Sequence, residues 1–288
     1  MRDALLLGAV QGLTEFLPVS SSAHLVLARR LLGIDSMPRA FDVALHAGTA
    51  AALLAESGRS LLPAARSIGE DMVRHGTRLD RYRPASLLAL RLGLATIPAV
   101  AAGMVYHADL EAWAKHPRRI VMALAMGSLP IALAEAFAAR GQPHRPEAVP
   151  AGAALLMGIA QVAALAPGIS RSGATVAAGM FAGLDRDSAT RFSFLLAVPV
   201  TVAATARSVP AIKSVVNEHG AIPLAAAIGS ALLAGLAGLE VMKRVTHARG
   251  LLPFALYRLA VAGLWQPAAS RDRRQAPTRS RRDRSAPR

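Results

Sequence analysis

Apolar residues lie in long blocks along this chain, with few charges between them. VMALAMGSLPIALA (121–134), FSFLLAVPVTVAATA (192–206) and AIPLAAAIGSALLAGLAGL (221–239) are the clearest. Crossing a hydrocarbon core takes about 20 mainly apolar residues, a length these blocks reach with their flanks. Apolar length predicts about six spans, at 41–56, 85–107, 119–139, 188–208, 221–243 and 250–266; the first and last are short. Residues 57–83 read as the longest polar connection, with SLLPAARSI (60–68) lying on the membrane surface as a short amphipathic helix.

Two other apolar stretches do not read as spans. Residues 4–31 are broken by LPVSSS and residues 151–182 by APGISRSG. Unpaired backbone amides in hydrocarbon cost several kcal/mol, so such breaks must be covered by protein or line a cavity. Two half-helices folded into a re-entrant hairpin satisfy that rule. The stretches also resemble each other. GAVQGLTEFLPVSSSAH starts at Gly8 and GIAQVAALAPGISRSGAT at Gly158; Gln11 aligns with Gln161 and Pro18 nearly with Pro167. With a one-residue gap, Ser20, Ser21 and Ser22 face Ser170, Arg171 and Ser172. Three spans separate the breaks, and an odd number inverts the second copy relative to the first, as in membrane folds whose paired broken helices meet near the midplane. The expected fold is therefore an all-α polytopic membrane protein with about six transmembrane helices plus two re-entrant hairpins in an inverted repeat. The first repeat covers 1–147, the second 148–269, and 270–288 form a disordered basic tail.

Composition sharpens this picture in three ways. At 53% hydrophobic residues but only 4% aromatic, the chain is rich in the small residues that let helices approach in lipid. There is no cysteine, which excludes disulfide and thiol chemistry. The net charge of +15 is partly local, since RDRRQAPTRSRRDRSAPR (271–288) holds eight Arg and two Asp. Beside a membrane helix such a segment more often meets anionic lipid headgroups than nucleic acid, and no nucleic-acid partner is expected. It also favours a cytoplasmic C-terminus. The N-terminal MRDALLLGAVQG is expected to be retained, because its apolar run leads into the polar break with no small-residue cleavage site.

The breaks carry the chemistry. Gln11 and Glu15, four apart, share a helix face. Ser20 and Ser21 follow Pro18, and His24 opens the second arm. An ionisable group inside a membrane segment is by default a functional candidate. The second break offers an anion site: Arg171 sits between Ser170 and Ser172, Gly173 follows, and a helix N-terminus comes next. A carboxylate, hydroxyls and an imidazole in one break and a phosphate cradle in the other suit phosphoryl transfer on a lipid with a phosphate head. The same groups leave two rivals open, a carrier or flippase for such a lipid and a non-catalytic lipid-binding protein. Among other intramembrane charges, Arg258 is the deepest and could support the site from the final helix. Arg91 and Arg191 read as snorkelling, Glu135 and Glu240 as interfacial, and His46 as a packed helix residue.

GLTEFLPVSSSAH together with PGISRSGAT resembles the undecaprenyl-diphosphate phosphatase family (BacA/UppP). The likeness extends through FDVALHAGTAAALLA (41–55), ATIPAVAAG (95–103) and RFSFLLAVPV (191–200), covering about residues 4–266. It implies a multi-pass enzyme of the bacterial inner membrane that removes the terminal phosphate of undecaprenyl diphosphate, recycles the lipid carrier for cell-wall synthesis and opposes bacitracin. It also implies two inverted repeats with re-entrant hairpins, a site reachable from outside the cell, and a divalent cation, Mg²⁺ or Ca²⁺. Carried over, the acidic motif falls on Gln11 and Glu15 as metal ligands. The serine-rich break falls on Ser20 and Ser21, the histidine on His24 and the phosphate-binding arginine on Arg171. Many relatives have Glu where this chain has Gln11, so the charge of a two-carboxylate metal site is halved. On this reading Ser20, Ser170, Arg171, Ser172 and Gly173 bind phosphate, Ser21 is the nucleophile and His24 the acid–base group. A water nucleophile remains open beside Ser21. The expected partners are the polyprenyl diphosphate lipid, the membrane and, as an option, a second copy in a homodimer.

Overall fold

The computed structural model describes residues 1–34, 37–207 and 209–275. They form helices, in chain order α1 (Arg2–Phe16), α2 (Ser21–Leu32), α3 (Arg39–Ala44), α4 (His46–His75), α5 (Pro84–Val105), α6 (His107–Ala114), α7 (Pro117–Met126), α8 (Ser128–Glu135), α9 (Ala151–Ala163), α10 (Arg171–Phe181), α11 (Arg186–Arg207), α12 (Val209–His219), α13 (Ala221–Arg249) and α14 (Leu252–Gln275). Among the described residues there is no strand, only an isolated bridge between Gln142 and Leu184. Four helical segments, 84–105, 117–135, 186–207 and 221–249, are long and apolar enough to cross a membrane. The chain is an all-α polytopic membrane protein.

Both broken stretches fold as pairs of short helices. α1 stops at Phe16 and α2 starts at Ser21; α9 stops at Ala163 and α10 starts at Arg171. The breaks have different local causes. Ser170 caps α10 by accepting a hydrogen bond from the Gly173 amide. Ser20 precedes α2 with φ +74°, the one described non-glycine residue in the left-handed region. Both second arms begin 150 residues apart (171 − 21), the same offset that relates Gln11 to Gln161, so the one-residue gap is unnecessary across the serines.

The arms pack crosswise. α1, from the first break, lies along α13, which follows the second; α9, from the second break, lies along α5, which follows the first. Glycines make both approaches close. A Cβ at Gly12 would fall 2.6 Å from the Gly235 backbone nitrogen, and one at Gly158 2.7 Å from Ala95 Cα. No such contact is tolerable, so the backbones touch there. Gly12→Ala must push α1 from α13, and we expect about 1–3 kcal/mol of lost stability, read as a lower midpoint in thermal unfolding in detergent.

The structure departs from the sequence expectation between 41 and 83. α3 and α4 replace a span and a surface helix: SLLPAARSI is the middle of α4, a helix of 30 residues. It carries Pro63 internally and ends only at Gly76, whose φ is +58°. The helix continues through Pro63, and a rise of 1.5 Å per residue makes α4 about 45 Å long. α14 likewise runs five residues past the expected start of the tail, to Gln275; the rest of the expected tail, 276–288, lies outside the described residues.

The far end of α4 is tied to the start of α5. The Arg83 amide and Nε donate to Asp71 at 2.8 and 2.9 Å, and Ser86 Oγ donates at 2.7 Å. These bonds, with Arg83 the larger cause, hold the Asp71 carboxyl well below the usual range. A depressed carboxyl stabilises the fold above its unfolded pKa of about 3.9 and loses that contribution as pH falls below it. Asp71→Asn should therefore flatten the loss of thermal stability between about pH 5 and pH 3.

Candidate active site

The two breaks meet, and their functional groups form one network. Arg171 Nη2 donates to Glu15 Oε1 at 2.8 Å, while Nη1 donates to Thr201 Oγ1 at 2.9 Å and to the Ala197 carbonyl at 3.2 Å. The guanidinium fork thus links the first hairpin to α11. The other Glu15 oxygen, Oε2, accepts from Ser21 Oγ at 2.6 Å and from Gln11 Nε2 at 3.0 Å. Glu15 and Arg171 keep only 9% and 16% of their side chains exposed, which strengthens their attraction. Around them lies a cavity of about 250 Å³ lined by Glu15, Ser20, Ser21, Ser170, Arg171 and Thr201, among others.

A second cavity of about 570 Å³ adjoins it, sharing Ser22, His46 and Pro167. Its walls include Leu25, Val26, Ile34, Met37, Val43 and Ile120, with Arg29, Arg30 and Asp42 also lining it. Both cavities have mainly apolar walls, and the smaller gathers the carboxylate, the serine hydroxyls and the guanidinium, a combination that suits a molecule with an anionic head and a hydrocarbon body.

Not every expected residue faces the cavity. Ser172 is buried and donates to the Leu17 carbonyl at 3.0 Å, bracing one hairpin on the other. The Gly173 amide is spent on the Ser170 cap, and a Cβ there would meet Ile131 and Pro18. Neither is among the residues lining the cavity, and both make contacts between the two hairpins. His24 also stands apart from the lining residues. Its Nδ1 lies 2.8 Å from the Ser20 carbonyl and its Nε2 2.8 Å from Tyr257 Oη, with the two rings stacked. With both nitrogens engaged, His24 braces the left-handed Ser20.

Three residues go beyond the sequence expectation. Thr201 holds Arg171. His46 faces both cavities, with Nε2 3.8 Å from Glu15 Oε2, which corrects its reading as a packed residue. Tyr257 fixes His24. Arg258, expected to support the site, is fully buried and donates to the carbonyls of Pro18, Leu124 and Gly168 and to Ser128 Oγ. It grips both breaks at once. A Cβ on Gly127 would run into its guanidinium.

A cation would find oxygen donors here. Gln11 is fully buried and its Oε1 has no hydrogen-bond partner, beside the Glu15 carboxylate. Among the described residues no cluster of three His, Cys, Asp or Glu exists. One carboxylate plus an amide oxygen fits an ion that completes its shell with phosphate oxygens and water, as Mg²⁺ does.

The chain is similar to known proteins along most of its length. The family model described as bacitracin resistance protein BacA matches residues 4–264. An undecaprenyl-diphosphatase of Gemmatimonas aurantiaca is 38% identical over 262 residues, 89% of this chain and 93% of that protein. One of Rubrobacter xylanophilus is 37% identical over 265 residues, covering 91% and 96%. One of Neisseria gonorrhoeae is 33% identical over 258 residues, covering 89% and 90%. With its two matched breaks joined through Glu15 and Arg171, this chain belongs to the BacA family of bacitracin resistance proteins.

Proposed function

We infer that the chain is an undecaprenyl-diphosphate phosphatase, a membrane enzyme that hydrolyses the terminal phosphate of undecaprenyl diphosphate to give undecaprenyl phosphate and inorganic phosphate. The observation that carries the reading is the Ser21–Glu15–Arg171 chain at 2.6 and 2.8 Å along the wall of a small cavity. A hydroxyl on a carboxylate that is itself fixed by a guanidinium is the arrangement an activated nucleophile needs. Removing the diphosphate also withdraws the lipid that bacitracin binds. A flippase would need none of this chemistry.

In the mechanism we propose, Arg171 and Ser170 hold the diphosphate in the 250 Å³ cavity while the isoprenoid lies along the adjoining apolar walls. Glu15 Oε2 takes the proton of Ser21 as Oγ attacks the terminal phosphorus. The bond to the bridging oxygen breaks, that oxygen takes the proton back from Glu15, and undecaprenyl phosphate leaves with the carboxylate ionised again. Water then attacks the phosphoserine, its proton passing to the carboxylate, and the Ser21 oxygen recovers the proton as inorganic phosphate departs. A divalent cation held by Glu15 and Gln11 would neutralise charge on the transferring group. Ser20, braced by His24, lines the cavity and positions Ser21.

The inverted repeat, 1–147 with 148–269, is part of the same proposal. The crosswise packing of α1 on α13 and α9 on α5 supports it. We place the protein in the bacterial inner membrane, with its site open to the outside. Purified protein in detergent should release inorganic phosphate from undecaprenyl diphosphate. Ser21→Ala should lower that rate about a thousandfold or more and abolish trapping of a phosphorylated protein from terminally labelled substrate. Phosphate release at full rate in Ser21→Ala would eliminate the serine route; binding of the lipid without any release would favour a carrier.

A further inference from the structure

His46 is the titratable side chain beside Glu15 that the mechanism above leaves without a task. Its ring is oriented by its own backbone, because Nδ1 lies 3.3 Å from the Asp42 carbonyl one turn earlier. Proton placement on Nδ1 leaves Nε2 as an electron-pair donor, the arrangement by which ligating histidines are held. That Nε2 points to the junction of the two cavities, 3.8 Å from Glu15 Oε2, with 34% of the side chain exposed. Gln11 lines the larger cavity with it and presents the buried Oε1 that has no partner. Three donors of different type therefore border the two cavities: the Gln11 amide on the larger, the Glu15 carboxylate on the smaller and the His46 imidazole on both.

We propose that His46 is a ligand of the divalent cation, completing a site with Glu15 and Gln11 and turning its preference from Mg²⁺ and Ca²⁺ towards a first-row transition metal such as Mn²⁺. Imidazole suits transition metals, whereas Mg²⁺ and Ca²⁺ take oxygen. An amide in place of a carboxylate at position 11 weakens a site that relies on charge alone, and a nitrogen ligand restores affinity where charge does not. The inference rests on the phosphatase reading of this cavity.

The test uses the full chain in detergent, free of any histidine tag, with Mn²⁺ and inorganic phosphate. Binding is followed by loss of the free Mn²⁺ electron paramagnetic resonance signal, and the bound ion is examined for coupling to ¹⁴N by pulsed measurement. We expect Mn²⁺ to bind at least about tenfold more tightly than Mg²⁺ and to show directly bonded nitrogen. His46→Ala should lose that coupling and the preference, while His24→Ala keeps both. Bound Mn²⁺ without nitrogen coupling in the wild-type protein overturns the proposal even if His46→Ala fails to fold. Coupling that persists in His46→Ala, or wild-type protein that binds no Mn²⁺, overturns it as well. Phosphate release from undecaprenyl diphosphate by the same wild-type preparation separates the two failures. An active enzyme without a nitrogen-bound ion removes His46 and leaves the phosphatase reading standing; an inactive one removes both.

Discussion

Arg171→Lys should reduce turnover about a thousandfold while the protein still inserts and migrates as a single species. The guanidinium uses its two terminal nitrogens on different elements, Nη2 on Glu15 and Nη1 on Thr201 and the Ala197 carbonyl. A lysine ammonium keeps the charge but has a single nitrogen. It can sit on Glu15 or on α11, and in neither place does it offer a planar fork to two phosphate oxygens. Glu15→Gln should lose as much, because Ser21 then donates to a neutral amide that cannot take its proton. It should also lose its dependence on divalent cation, since no second acid lies within the cavity lining. The rival explanation is that Glu15 and Arg171 form a structural pair. In that case both single variants lose stability and the double variant is less damaged than the sum. Activity per folded molecule, measured beside thermal stability for both singles and the double, decides between them. Full turnover in Arg171→Lys removes the clamp from the mechanism.

The breaks were legible because they violate what a membrane segment should be. Proline, serine and arginine inside apolar runs are costly unless they line something, and here the two costly stretches line the same cavity. The second arms begin about a turn earlier than that pattern places them, at Ser21 rather than His24 and at Arg171 rather than after Gly173. What stayed hidden depended on rotation and on distant partners. Ser170 and Ser172 read alike in the sequence and both reach the Leu17 carbonyl, at 3.4 and 3.0 Å, but of the two only Ser170 also lines the cavity, and Gly173 packs towards Ile131 and Pro18. His24 and His46 exchange their expected standing for the same reason. His24 finds Tyr257, 233 residues away, and His46 finds Glu15 across the cavity. α4 was read as a span with a surface helix because proline and charged residues there resemble a connection. The helix absorbs Pro63 and ends where glycine adopts φ +58°.

On the mechanism proposed above, the common offset of 150 residues divides the work between the two hairpins. Gln11 has its mate in Gln161, both buried, but Glu15 stands opposite Leu165 and Ser21 opposite Arg171. The first hairpin thus carries the carboxylate and the hydroxyl; the second carries the cation. Neither contains a complete site, so chemistry needs the two breaks held in register.

Arg258 provides that register, and its removal should have the largest effect on the fold. The side chain is fully buried and has no ion-pair partner among its hydrogen bonds. It donates instead to Pro18 and Gly168, one carbonyl in each break, and to Leu124 and Ser128 where α7 gives way to α8. The Pro18 and Gly168 carbonyls lie in the breaks and would be left unpaired by an apolar residue, whereas Leu124 keeps Ser128 Oγ at 2.9 Å. At about 1–3 kcal/mol for each buried group left without a partner, Arg258→Leu should cost several kcal/mol. It should also release the breaks from one another. We expect a large fall in thermal midpoint together with loss of phosphate release. Arg258→Lys offers three donors on one nitrogen, enough for some of the carbonyls but not for both sides of the fork, and should be intermediate in both readouts. Gly127→Ala approaches the same guanidinium from the other side and should resemble it. If Arg258 acted on substrate directly, Arg258→Lys would lower turnover while leaving thermal stability at the wild-type value. A fall in both, in step across the three variants, identifies it as the clamp that holds the two hairpins together.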